Sequence, residues 1–330
     1  MSDEFARIAR YFAPLAATFP GAYGLTDDAA SFGLAHGEQA VVTTDAVVAG
    51  VHFIGDEPPG LIARKALRVN LSDLAAKGAR PLGYTLAAVL PQAIDDAWLE
   101  AFAAGLAADQ AEYGVPLIGG DTVATAGPLT LSITALGVVA GAMVRRAGAR
   151  PGDRVYVSGT VGDAALGLAA LRGRLAGLGA AARGFLVDRY QLPQPRLALG
   201  RALAPHVSAA LDVSDGLVAD LGHIAACSGV AAVIEQARVP LSAAATAAVA
   251  ADPAAYQEVL GGGDDYELLF TASQEKHDII VKLASAAATP VTVIGAIVAG
   301  DGAGSAPGAI IVRDRDGRDV TPAAGGYRHF

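Results

Sequence analysis

The chain has 330 residues, 53% hydrophobic and 17% charged, which is enough for a large core and suggests two domains of ordinary size. A net charge of −9 argues against a nucleic-acid groove or an anionic membrane surface as the main partner. Mean hydropathy is high, yet no apolar run reaches the roughly 18 to 20 residues of a membrane span; alanine and glycine inflate the score.

Residues 3 to 13 read as a helix, with Phe5, Ile8 and Phe12 at helical spacing and Pro14 as its expected end. The opening, acidic and then amphipathic rather than signal-like, implies a cytoplasmic protein. AVVTTDAVV at 40 to 48 is β-branched and reads as a strand. A helix follows over 58 to 77, closed by Gly78 and Pro81, with Asn70 and Asp73 three apart and so on one face. Next come a strand at 83 to 90, a helix at 94 to 113, a short strand ending at GGD and an alternating strand at 129 to 139. Pro, Gly and charge at 145 to 154 break the pattern and set the expected domain boundary, 1–147 against 148–330.

The second half opens with a strand at RVYVSG and a Gly-rich turn into a helix N-terminus at GTVGDAALG. Such an end can bind an anion, although the segment is not a GxGxxG and an ordinary strand-to-helix turn is the better reading of it taken alone. AALDV reads as a strand leading into a helix whose first turn carries Ser214 and Asp215, with Asp220 expected to face solvent. Later elements are a strand at YELLFTA, a helix near 275 to 287, strands at 290 to 298 and 308 to 313, and a turn at RDRDG.

Cysteine, histidine and lysine usage narrows the chemistry. Cys227 is the only cysteine, which excludes an internal disulfide and a thiolate zinc cluster; its setting, LGHIAACSGV, reads as a buried helix position. No HExxH is present, and none of Lys65, Lys77, Lys276 and Lys282 lies in a P-loop, nor is there an HRD or DFG element. Against that background stand Asp27, Asp28, Asp45, Asp73, Asp121, Asp212 and Asp215, each among small residues and mostly where an apolar run ends. Any one could be a cap or turn residue. Gathered together, hard carboxylate oxygens of this kind suit Mg²⁺ rather than zinc or copper.

With DDAA at 27 to 30, TTDAVVAGVHF at 43 to 53, KALRVNLSDLAAKGARP at 65 to 81, LIGGDT at 117 to 122, RAGARPGD at 146 to 153, DVSDGL at 212 to 217, GGGDDYELLFT at 261 to 271 and GYRHF at 326 to 330, the chain resembles the thiamine-monophosphate kinase family, within the superfamily typified by aminoimidazole ribonucleotide synthetase. The resemblance runs nearly end to end. It implies a two-domain α/β fold whose N-terminal sheet domain pairs into a β-barrel across a homodimer, with a C-terminal α/β domain completing the site. It further implies transfer of the ATP γ-phosphoryl group to thiamine monophosphate, giving thiamine diphosphate.

Carried over by position, Asp28, Thr43, Thr44, Asp45, Asp73, Asp121, Asp212 and Asp215 would hold several Mg²⁺ ions. Gly120, Asp121, Arg145 and Ser214 would meet ATP, and His52, Asp264 and Tyr327 would meet thiamine monophosphate. The alternatives to these roles, which are the less favoured readings, are that His52 is a half-buried strand-end histidine, Tyr327 terminal packing, and Arg145 part of a solvated pair with Arg146. Asp27 would only shape the turn or hold a metal-bound water. Two departures from the family pattern stand out: Thr26 where Gly is usual, and Asp264 where Glu is usual, one methylene shorter. The competing readings are the ring-closing ligase of the superfamily and a nucleotide and Mg²⁺ sensor without turnover.

Overall fold

The computed structural model describes residues 4–27, 29–300, 306–323 and 325–327. The chain forms two compact units, one of residues 1–74 and 79–142, the other of 75–78 and 143–330.

The first unit opens with α1 (Glu4–Arg7), which widens into a π-turn over Ile8–Phe12 and tightens into a 3₁₀ turn over Ala13–Ala16. Pro14 therefore does not stop the helical run. It sits in the first turn of the 3₁₀ segment, where a missing N–H costs little. Strands β1 (Glu38–Val48), β2 (Arg80–Pro91), β3 (Leu117–Thr125) and β4 (Thr130–Ala140) form one sheet in the order β1-β4-β2-β3. β4 is antiparallel to both neighbours and β3 is parallel to β2.

Helices α2 (Pro59–Ala76) and α3 (Asp96–Tyr113) also belong here, except for the last residues of α2. They approach closely at Gly60 and Gly105, where a Cβ on Gly105 would stand 2.4 Å from the Gly60 carbonyl. Beside that contact the buried Asp109 carboxylate accepts from Arg64 Nε at 2.7 Å and Arg68 Nε at 2.8 Å. A buried carboxylate is tolerable only with such partners. Leu67, Leu71, Leu74, Leu99, Phe102 and Leu106 supply the apolar core between helices and sheet.

The second unit holds a six-stranded mixed sheet. Its strands are β5 (Arg154–Ser158), β6 (Ala209–Asp212), β7 (Val230–Glu235), β8 (Leu268–Ala272), β9 (Val291–Ala299) and β10 (Ile310–Arg313), in the order β10-β7-β9-β5-β8-β6. Around it lie α4 (Asp163–Leu171), α5 (Ala180–Gln191), α6 (Leu197–Leu203), α7 (Leu217–Ser228), α8 (Ala243–Ala251), α9 (Tyr256–Gly261) and α10 (His277–Ala286). β5 and β8 are central and buried, as their unbroken apolar runs require.

Three local expectations are corrected. α7 begins at Leu217, so Ser214 and Asp215 lie in the turn before the helix; Gly216, at φ +128°, bends the chain there. Asp220 is buried rather than solvent-facing, because its Oδ2 accepts the N–H groups of Asp215 (3.0 Å) and Gly216 (3.1 Å) and so caps that turn. Cys227 is exposed: it sits one residue from the C-terminus of α7, where the helix face turns to solvent. Among the described residues no helix is long and apolar enough to cross a membrane.

Candidate active site

In the first unit, strand alternation sorts the TTDA segment. Val41, Thr43, Asp45 and Val47 share one face of β1, and Val42, Thr44 and Ala46 share the more exposed one. The Thr43 hydroxyl donates to Asp73 Oδ2 on α2. One turn earlier on α2, the buried Asn70 accepts the Asp45 backbone N–H through Oδ1 at 3.1 Å and donates through Nδ2 to the Ala66 carbonyl. Asn70 thus pins the edge strand to the helix so that Asp45 and Asp73 face each other. Burial first, and the Asp73 charge second, push the Asp45 carboxyl up to about 6.

Two like charges held together by scaffold, with a hydroxyl beside them, form an oxygen donor set that fits a hard divalent cation. Thr44 points the other way, with its hydroxyl donating to the Ile133 carbonyl at 3.1 Å and accepting from Thr134.

Gly120 and Asp121 lie on β3, and with Asp27 they line a cavity of about 110 Å³ floored by Ile8, Phe12, Leu86, Leu117 and Ile118. Gly120 is required by close approach, since a Cβ there would stand 2.2 Å from the Leu86 carbonyl oxygen. Asp121 is exposed, with Oδ1 accepting from the Thr122 N–H. His52 is half-buried, and its Nδ1 accepts the Val48 N–H at 3.1 Å, so a neutral ring carries its proton on Nε2. Asp28 lies outside the described residues.

In the second unit, backbone hydrogen bonds draw three separate segments together. Asp212 ends β6 and is buried, and the turn carrying Ser214 and Asp215 follows it. The Asp264 N–H donates to the Ser214 carbonyl at 2.9 Å, and Tyr266 N–H to the Val213 carbonyl at 2.8 Å. From the C-terminal segment, the Tyr327 N–H donates to the Asp215 carbonyl at 2.9 Å, leaving the Tyr327 side chain 52% exposed beside that turn. Ser214, Asp215, Asp264 and Tyr327 are therefore neighbours. Arg145 is exposed; its carbonyl accepts the Ala210 N–H, which ties it to the start of β6.

Residues that sequence reasoning did not single out support this cluster. Asp265 is fully enclosed and accepts from the N–H groups of Gly162 (2.6 Å) and Ala164 (3.1 Å) at the start of α4; burial pushes its carboxyl up to about 8. Glu267 is buried between Arg189 (2.8 Å), Arg196 (2.8 Å to Nε) and the Ser158 hydroxyl (2.6 Å). The Gly-rich turn before α4 thus holds a protein carboxylate at two of its N–H groups. Asp215, Asp220 and His223 also lie close enough together to share an ion. The alternation in DDYE, with the second Asp and the Glu turned inward, was the available signal for these supports.

Comparison with known proteins shows the family and the fold. Models of the AIR synthase related protein family match residues 26–139 (N-terminal domain) and 150–306 (C-terminal domain). A thiamine-monophosphate kinase of Caulobacter vibrioides is 44% identical over 330 residues, covering 99% of this chain and 90% of the relative. The chain belongs to the thiamine-monophosphate kinase family. The Escherichia coli K12 family member is 40% identical, with 99% and 98% of the two chains covered.

Among solved structures, the thiamine-monophosphate kinase of Stenotrophomonas maltophilia K279a superposes with a TM-score of 0.79 at 42% identity, covering 89% of this chain and 90% of that one. AaThiL complexed with AMPPCP and TMP gives a TM-score of 0.78 at 28% identity over the whole of both chains. The hydrogenase maturation protein HypE, at 19% identity and a TM-score of 0.77, shares the fold. The expected two-domain fold of the superfamily is the fold found.

Proposed function

We propose that this chain transfers the γ-phosphoryl group of ATP to the phosphate of thiamine monophosphate, releasing thiamine diphosphate and ADP. The observation that carries the reading is the paired Asp45 and Asp73 with Thr43 and Asn70 in support, in a chain 44% identical to a thiamine-monophosphate kinase. AaThiL complexed with AMPPCP and TMP supports the same two substrates.

In the reaction an oxygen of the acceptor phosphate attacks the γ-phosphorus, and the bond from that phosphorus to the β,γ-bridging oxygen breaks. The acceptor oxygen is already anionic at neutral pH, so no side chain is needed as a general base. The difficulty is charge, because two polyanions must approach in line.

Asp28, Thr43, Asp45, Asp73, Asp121, Asp212 and Asp215 would hold Mg²⁺, and Mg²⁺ when bound supplies neutralisation of the phosphate oxygens; the Thr44 hydroxyl, engaged with Ile133 and Thr134 on the other face of β1, would not share an ion with Asp45 and Asp73. Gly120 offers bare backbone to ATP, Ser214 a hydroxyl and Arg145 a guanidinium. His52 presents an Nε2–H donor to the acceptor, Asp264 a carboxylate, and Tyr327 an aromatic face on which a thiamine ring can stack.

In this reading residues 1–147 serve ATP, Mg²⁺ and dimerisation, and 148–330 complete the site. The protein works in the cytoplasm as a homodimer. The dimer is supported by β1, an eleven-residue edge strand with Val42 60% exposed, since an open apolar edge invites pairing with a second copy. Purified protein with ATP, Mg²⁺ and thiamine monophosphate should yield thiamine diphosphate and ADP in equal amounts; ATP binding without any product would reject the reading.

A further inference from the structure

The DDYE segment carries an unusual backbone. Asp264 (φ +71°) and Tyr266 (φ +51°) both lie in the left-handed region, flanking a residue that does not. Aspartate tolerates that region, but an aromatic residue seldom enters it, and such outliers persist where surrounding structure over-determines them. Here the determinants are visible. Asp265, 3% exposed, is locked to Gly162 and Ala164, and Glu267 to Arg189, Arg196 and Ser158. The N–H groups of Asp264 and Tyr266 are fixed to Ser214 and Val213. Gly263 lets the loop lie this close, since a Cβ there would be 2.0 Å from the Ser214 carbonyl oxygen.

With residues 265 and 267 turned inward, 264 and 266 emerge together on the other side. The Tyr266 hydroxyl then donates to Asp264 Oδ1 at 3.2 Å. The Asp264 side chain is short, so its reach depends on the direction in which its carboxylate is aimed.

We propose that Tyr266 is a positioning residue for thiamine monophosphate: its phenol holds the Asp264 carboxylate in the orientation that meets the substrate. The inference rests on the assignment of Asp264 to thiamine monophosphate made above. Tyr266 acts through Asp264 and takes no part in the transfer of the phosphoryl group.

The test compares full-length wild type with Tyr266→Phe, Asp264→Ala and the double variant, by calorimetric titration with thiamine monophosphate and, separately, with a non-hydrolysable ATP analogue, beside steady-state kinetics. Loss of one hydrogen bond, a long one at 3.2 Å, predicts that Y266F raises the Kd and KM for thiamine monophosphate roughly 3- to 10-fold. kcat, the analogue Kd and the melting temperature of Y266F stay within about 2-fold or 2 °C of wild type, and Y266F adds nothing in the D264A background, where the acceptor of its hydroxyl is gone. An unchanged thiamine monophosphate Kd in Y266F, or penalties that add in the double variant, would overturn the proposal. If D264A itself binds thiamine monophosphate as wild type does, the substrate assignment of Asp264 falls, and this inference falls with it.

Discussion

Replacing Asp45 by asparagine should make the protein more stable and nearly inactive at the same time. The Asp45 carboxyl is pushed from 3.8 to about 6, mainly by burial and then by Asp73. At ~1.4 kcal/mol for each pKa unit, holding that charge in the metal-free fold costs about 3 kcal/mol, of which relaxation and solvent leave about half. The folded value lies above the unfolded one, so the cost is absent below about pH 4, builds as pH rises through about 6 and is complete above about pH 7. The neutral amide of the Asp45→Asn variant carries no such cost.

In chelator at pH 8 the variant should therefore melt roughly 3 to 6 °C above wild type, for a cooperative unit of about 150 residues. At pH 4.5, where most of the carboxyl is protonated in the fold, the gap should shrink to about a third. Turnover at saturating Mg²⁺ should fall at least ~10²-fold, because the same charge serves the bound cation and the transition state. Calorimetry at the two pH values, with and without Mg²⁺, together with the kinase assay, decides the matter. A variant less stable than wild type at pH 8 without metal, or one with wild-type turnover, would refute the account of the Asp45–Asp73 pair.

Further consequences can be checked in parallel. Tyr327→Ala should weaken thiamine monophosphate binding by about 10-fold or more with little change for an ATP analogue, as loss of an aromatic stacking face implies; equal losses for both ligands would mean that Tyr327 acts through folding. Glu267→Gln leaves Arg189 and Arg196 without their shared buried carboxylate, and urea denaturation should show a loss of about 3 kcal/mol or more. A change below about 1 kcal/mol would show that the cluster is hydrated or readily replaced. Gly263→Ala must push the Asp264 loop off the Ser214 carbonyl and should raise the KM for thiamine monophosphate; unaltered kinetics would mean the loop relaxes without moving Asp264.

Most elements are legible in the sequence because their signals are local. β1 shows as β-branched residues, α2 as a run closed by Gly78 and Pro81, and β4 as strict alternation. The alanine-rich α8, with hardly any polar face, and the short α6 and α9 give no comparable period by which to read them. The candidate aspartates announce themselves by their small neighbours and by family motifs. Their supports do so less: Asn70 shows only as a face-mate of Asp73, with no hint that it holds the Asp45 N–H, and Asp265 and Glu267 act through partners about 100 and 109 residues away in sequence. The burial of Asp220 is hidden for a related reason: helical periodicity does not reveal that a side chain folds back to cap its own turn.

The central claim is tested most directly by incubating purified protein with ATP, Mg²⁺ and thiamine monophosphate and separating the products by chromatography, with free thiamine and metal-free reactions alongside. The account predicts thiamine diphosphate and ADP in equal amounts, formed only from the monophosphate and only with metal. Folded protein that binds ATP and Mg²⁺ but forms no thiamine diphosphate would contradict it.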